Sequence, residues 1–322
     1  MKAVVLGETG GPEQLVYGEA PDPEPRPGNV LVSVRAAGIN FADVLVRLGR
    51  YPQPPDLPAV LGSELAGEIV GRGADGLREG ERVFGLTGTP GGAYAELAEA
   101  DPRWLVPLPA GASFSEGAAF LTAFLTAWLP LTRQVRVREG SVVLVHAAAG
   151  GVGSAAVQVA RHLGARVVAT AGSAEKLALA GELGAELTID YRSDDFVARV
   201  REELDGVDIV VDPVGGPVLV ESLKALRPLG VAIAIGFAGG PWQPLDPALL
   251  VGRNIGVQGF YLGRLMSLAP ELVQEAIGEV VELWRQGAVR PVVGGEYPFA
   301  EAAEAHRSIE DRKSVGKVLL TA

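Results

Sequence analysis

The 322-residue chain contains no cysteine. That absence excludes disulfides, a thiolate nucleophile and zinc held by cysteine ligands. Histidine is scarce as well. His146 ends an apolar run, His162 sits in a helical stretch and His306 lies near the C-terminus, so no spacing suited to a metal cluster arises. Basic residues are outnumbered, with 28 Lys and Arg against 39 Asp and Glu, giving a net charge of −11 and a pI near 4.9. A chain of this charge lacks the cationic face that many phosphate contacts require, so nucleic acid is not an expected partner. The apolar stretch 142–160 is broken by His146, several glycines, Ser154 and Gln158, so it does not read as a membrane span. The opening MKAVVLGETGG has too little apolar core for a signal peptide, and a cytoplasmic protein is the expectation.

What is present begins with VVLVHAAAGGVGSAAVQVARHLGARVVAT, residues 142–170. Val142 to Val145 suit a buried parallel strand. Gly150, Gly151 and Gly153, with Val152 among them, form a turn whose backbone N–H groups can approach a pyrophosphate at a helix N-terminus. Val152, Ala156, Val159 and Leu163 then recur at helical spacing, and Gly164 stands where a left-handed residue would close the helix. Val167 to Ala171 supply the second strand of this nucleotide-binding βαβ unit. The strict G-x-G-x-x-G pattern would place a glycine at Ala148, and this chain keeps only its last two glycines, Gly150 and Gly153.

Length permits two domains. Residues 1–110 hold over half of the 23 prolines and short β-rich runs at Val30–Val34, Glu68–Val70, Arg82–Phe84 and Tyr94–Leu97, which predicts a compact β domain. Ser113-Phe114-Ser115-Glu116 has the form of a capping box opening an apolar helix to about Leu129, where Pro130 interrupts it. Strands near 142–146, 167–171, 187–190, 208–212, 231–236 and 255–260 alternate with amphipathic helices, the pattern of a doubly wound, six-stranded parallel sheet in an α/β fold. A helical stripe through Val273, Ala276, Ile277, Val280 and Trp284, a helix from about Phe299 to Glu310 and a strand at Val318–Leu320 follow. The expected division is 1–112 with 262–322 as one domain and 113–261 as the other.

An NAD-selective site usually carries Asp or Glu at the end of the second strand. This chain has Thr170-Ala171-Gly172-Ser173 there, with Lys176 shortly after and Tyr191-Arg192 beyond the third strand. Two cations and a hydroxyl in place of a carboxylate favour a 2′-phosphate, and hence NADPH.

The β domain with AAGINFADVLVRLGRYP and LGSELAGEIV, followed by HAAAGGVG and TIDYR, resembles the zinc-free quinone oxidoreductases related to zeta-crystallin, within the medium-chain dehydrogenase/reductase superfamily. The resemblance covers essentially the whole chain. It implies a GroES-like catalytic domain, a Rossmann domain, an active site between them and NADPH as hydride donor. By position it implies that Asn40 lies beside the nicotinamide and that Thr126 touches the cofactor. Gly150 to Gly153 would hold the pyrophosphate, with Gly172, Ser173, Lys176, Tyr191 and Arg192 around the 2′-phosphate. Phe237, Phe260 and Arg312 would complete the walls or the cofactor contacts. Tyr51 matches a tyrosine facing the substrate, whereas Leu45 stands where several relatives have a second one. The zinc enzymes' Gly-His-Glu reads Gly62-Ser63-Glu64 here. Asp43 and Glu64 are acid/base candidates, or equally groups that fix loops by hydrogen bonding.

Without a metal to polarise an ordinary carbonyl, an electron-poor acceptor fits best, either a quinone or an activated enone. Reduction of quinones by NADPH is therefore expected, with enoyl-thioester or enone reduction, or non-catalytic NADPH binding, as alternatives. The strand near Ile255–Phe260 would lie at a sheet edge and pair across a two-fold axis to give a homodimer.

Overall fold

The alternation of apolar strands and amphipathic helices in the second half of the chain folds as that pattern predicts. The computed structural model describes residues 1–71, 73–74, 76–87 and 91–322. It divides into two compact units, Ala123–Arg290 and Met1–Thr122 with Pro291–Ala322.

In the unit Ala123–Arg290 six parallel strands form one sheet. Across the sheet they run Leu187–Asp190, Arg166–Ala171, Val142–Val145, Val207–Asp212, Leu226–Ala234 and Gly256–Gly259. Val142–Val145 is the first in sequence and lies at the middle, so successive connections leave it in opposite directions. Ligands of such sheets bind beyond the carboxyl ends of the strands at that reversal. Val142, Leu144, Val168, Ile189 and Val210 are buried together with Leu219 and Leu223 of the helix Gly216–Ala225. Each fully buried aliphatic side chain of this kind contributes roughly 1.5–3 kcal/mol. Gly164 adopts φ +84° after the helix Gly151–His162, the left-handed closure its place implied.

The unit formed by the two chain ends is β-rich. Its larger sheet contains Val293–Pro298, Lys317–Thr321, Val30–Gly38, Glu64–Val70, Arg82–Leu86 and Leu105–Pro107 in that order, with Leu97–Ala100 also paired to Val30–Gly38. A smaller sheet joins Leu15–Glu19, Lys2–Leu6 and Ala59–Val60. Val32, Val34, Leu65, Val83 and Leu320 meet in its core.

Several local expectations shift. The division differs from the expected one because Leu262–Arg290 packs inside the second unit. The helix Pro270–Arg285 buries Val273, Ala276, Ile277, Val280, Val281 and Leu283 there, and its Glu279 accepts the Trp128 indole N–H at 2.5 Å. The Gln158 side chain meanwhile clasps both backbone polar groups of Arg290. The capping box forms as expected, with Ser113 Oγ accepting from Glu116 N–H and the Glu116 carboxylate accepting from Ser113 N–H. The following helix is split, into Phe114–Ala118 and Leu121–Leu129, and Pro130 does not end it. Proline lacks only an N–H, and a π-helical turn continues to Gln134, with Val135 N–H reaching Pro130 O and Thr132 Oγ1 donating to Trp128 O. Among the described residues 114–134 is the one helical stretch long and apolar enough to cross a membrane, and 78% of its most apolar window is buried within the protein. In the run Tyr94–Leu97 only Leu97 belongs to a strand, Leu97–Ala100; Ala95 forms an isolated bridge to Ala3, while Tyr94 N–H bonds back to Leu61 and its side chain is buried.

Candidate active site

The glycine turn opens the helix Gly151–His162 with Gly150 as N-cap and no capping side chain. The N–H groups of Gly151, Val152 and Gly153 have no partner within the helix and, together with its dipole, face the end of the central strand. Glycine is obligatory at 153, where a Cβ would run into the carbonyl of Ala147. Ala147 itself takes φ +49°, the left-handed conformation that folds the strand end back under the helix. His146 lies beneath this turn and is wholly structural. Ser222 Oγ donates to Val218 O, so it accepts from His146 Nε2–H at 2.8 Å, which leaves Nδ1 to accept from Thr170 Oγ1 at 2.8 Å. Burial pushes this imidazole down to a pKa of about 3, and it stays neutral.

At the end of the neighbouring strand, Gly172 is buried against the side chains that follow the third strand. A Cβ there would lie 2.6 Å from Tyr191 Oη and 3.0 Å from Arg192 Nε. Ser173 caps the helix Ala174–Glu182, accepting the Lys176 N–H at 3.4 Å. Lys176 is pushed below the usual lysine value, first by burial and then by the neighbouring Arg192. The two cations are close enough to disfavour one another, and the missing side chain of Gly172 leaves room for Tyr191 and Arg192.

The remaining expected residues are spread over both units. Phe237 is half-buried in the loop after Leu226–Ala234, its ring 5.5 Å from that of Trp242, and Phe260 is buried directly after the edge strand. Thr126 is buried on the helix Leu121–Leu129. Tyr51 is half-buried against the core of the β-rich unit, and Leu45 is buried on the helix Phe41–Arg47. Arg312 is exposed after the helix Ala302–Glu310, at φ +57°.

Asn40 caps the helix Phe41–Arg47, and its side chain meets a buried ion pair. Lys317 Nζ lies 2.6 Å from Asn40 Oδ1 and 2.7 Å from Glu64 Oε2, with both charged side chains almost wholly buried. Glu64 Oε1 accepts the Thr122 N–H at 2.8 Å. Asp43 belongs to a separate chain of bonds. Its carboxylate takes the Asn40 N–H at 2.7 Å and the Tyr94 hydroxyl proton at 3.0 Å, so the Tyr94 oxygen is the acceptor facing His306 Nε2 at 3.4 Å. Burial raises Asp43 to a pKa of about 6 and, with Arg47, lowers His306 to about 3. His306 is fully buried. Ring packing against Tyr94 on an apolar helix face draws it in. Of the two readings of Asp43 and Glu64, the geometry displays the loop-fixing bonds.

Two buried charged residues escaped the sequence reading. Lys317 opens the apolar strand KVLLT as Glu64 opens ELAGEIV, and a lone charge at the head of each buried strand was the available signal. Asp212 ends Val207–Asp212. Its Oδ1 accepts the N–H groups of Val214 and Gly215, fixing a loop in which Gly215 and Gly216 take φ +65° and +54°, and burial raises its pKa to about 6.

Residues 26–110 match the alcohol dehydrogenase GroES-like domain and residues 151–282 the family described as zinc-binding dehydrogenase. A quinone oxidoreductase from Pseudomonas aeruginosa is 38% identical, with 99% of each chain covered. The chain belongs to the quinone oxidoreductases of the medium-chain dehydrogenase/reductase superfamily. Among structures of this family, the quinone oxidoreductase of Thermus thermophilus, solved alone and with NADPH, is 41% identical with a TM-score of 0.86 over the full length of both chains. A mycobacterial protein complexed with NADPH is 36% identical, with a TM-score of 0.93 and equally full coverage. Membership in the quinone oxidoreductases accounts for the parallel sheet with its glycine turn and for the β-rich unit built from both chain ends.

Proposed function

We propose that this protein reduces quinones with NADPH, without zinc. The observation that carries the cofactor reading is the packing of Tyr191 and Arg192 against Gly172 beside a desolvated Lys176, with no carboxylate at the strand end. NADPH, when bound, supplies a hydride. The residues of this chain would then bind and orient. Backbone N–H groups of Gly151 to Gly153 hold the pyrophosphate, and Ser173, Lys176, Tyr191 and Arg192 hold the 2′-phosphate. Thr126, Phe237, Phe260 and Arg312 complete the cofactor contacts, with Asn40 and Tyr51 toward the acceptor. Zinc independence is supported by the composition, since the chain lacks cysteine and the Glu64 oxygens are already engaged by Lys317 and Thr122. The acceptor is a small electron-poor carbonyl compound, and the working assembly a cytoplasmic homodimer joined along the edge strand Gly256–Gly259.

The decisive experiment follows loss of reduced-nicotinamide absorbance with NADPH and NADH, each against a small ortho-quinone and an enoyl-CoA. Quinone turnover selective for NADPH is expected. Faster enoyl-CoA turnover would move the acceptor class to enones, and tight NADPH binding without turnover would make this a binding protein. Light scattering at micromolar concentration tests the dimer, and a monomeric mass would refute it.

A further inference from the structure

The hydrogen bonds of Asn40 leave its amide in one orientation only. A lysine ammonium has donors and no lone pair, so the atom 2.6 Å from Lys317 Nζ must be the amide oxygen. The other edge, Nδ2, therefore carries the donors. One of its hydrogens points along a long 3.5 Å contact to Glu64 Oε2, while the second has no partner among the described residues, on a side chain that is only half-buried. Lys317 is itself held in place. Glu64 Oε2 takes a second ammonium proton at 2.7 Å, Glu64 Oε1 is tied to Thr122 N–H, and Gly38 leaves the space, since a Cβ there would come within 2.9 Å of both Lys317 Cε and Glu64 Oε2.

We propose that Lys317 is a positioning residue that acts through Asn40, locking the amide so that an Nδ2 hydrogen is presented to the carbonyl oxygen of the acceptor. This rests on the reading above, in which Asn40 faces the acceptor. A quinone or enone oxygen only accepts hydrogen bonds, and it gains negative charge as the carbonyl compound is reduced. A flipped amide would oppose it with a second acceptor. A cation on Oδ1 also polarises the amide and strengthens the opposite N–H, so the buried charge reaches the acceptor through two bonds without being exposed to it.

Removing Lys317 alone strands the Glu64 carboxylate in the interior, so the test uses neutral pairs. Lys317→Met with Glu64→Gln removes both charges and the donor to Asn40. Lys317→Gln with Glu64→Gln removes the charges but keeps an N–H donor. Both pairs should melt near the same temperature and bind NADPH with nearly unchanged affinity. In the methionine pair kcat should fall about 100-fold, the scale of a misplaced catalytic contact, and the glutamine pair should recover most of that loss. Adding the methionine pair to Asn40→Ala should cost nothing further. Equal kcat for the two neutral pairs, or losses that multiply with Asn40→Ala, would overturn the proposal. Absence of wild-type turnover with every quinone and enone would overturn the functional reading instead. Lys317 would then be judged by a crystal structure of the methionine pair, where a rotated Asn40 amide is expected and an unmoved one refutes the role.

Discussion

Two regions of the molecule, one in each unit, solve opposite problems of polarity. Around Gly150–Gly153 and Gly172 the chain uses missing side chains and backbone N–H groups, and under the proposed function the charge they meet comes from outside. Around Asn40 the charges are internal: Lys317 and Glu64 sit almost without solvent and neutralise one another. The contrast teaches that a receptor for an anion tolerates vacancy, because water can solvate its donors until a ligand arrives. A buried ion pair does not, since neither member has water to fall back on.

That difference can be broken first at the lysine. Lys317→Met alone should lower the unfolding free energy by roughly 3–5 kcal/mol, the usual result of stranding a buried charge, as chemical denaturation would measure. Arg192→Ala, in the open cradle, should leave the melting temperature within a degree or two. It should weaken NADPH binding by roughly 1.5–3 kcal/mol while leaving NADH binding nearly unaltered in titration calorimetry. Equal losses for both cofactors would remove Arg192 from the phosphate. Between these extremes, Gly153→Ala forces backbone away from the Ala147 carbonyl and should destabilise the second unit by roughly 1–3 kcal/mol while impairing both cofactors alike.

The smallest effect sharpens the comparison through pH. Asp43 and Asp212 have folded pKa values of about 6 against an ordinary 3.8, so the stability tied to their protons is full below about pH 4 and lost as pH rises through 6. His146 and His306, at about 3 against 6.5, act in reverse: their contribution is full above 6.5 and lost as pH falls toward 3. Two groups of each kind nearly cancel between about pH 4 and 6. Asp212→Asn removes one opposing slope, so the unfolding free energy of that variant, relative to wild type, should gain about 1.4 kcal/mol per pH unit across the interval. Urea titrations at several pH values would show it, and parallel curves would deny the Asp212 shift.

Much of the fold was legible because strand and helix periods are local. The six apolar runs and the glycine turn write the parallel sheet into adjacent residues, and the absent carboxylate after Ala171 is a one-position signal. The helix Pro270–Arg285 displays its stripe plainly, yet a stripe does not say which core it will meet, and its bond to Trp128 lay outside sequence reading. The Asn40 environment was least legible. Its atoms come from positions 40, 64, 122 and 317, joined by sheet register, and a charge heading an apolar strand resembles any solvated strand end until its partner strand is known.

The β-rich unit takes its strand Lys317–Thr321 from sequence that follows the entire second unit. During synthesis from the N-terminus, Ala123–Arg290 has every strand of its sheet before Val30–Gly38 acquires its neighbour and Glu64 its cation. The nascent chain can thus complete the nucleotide-binding unit on the ribosome while the half that holds Asn40 waits, with an open sheet edge, for its final segment to emerge.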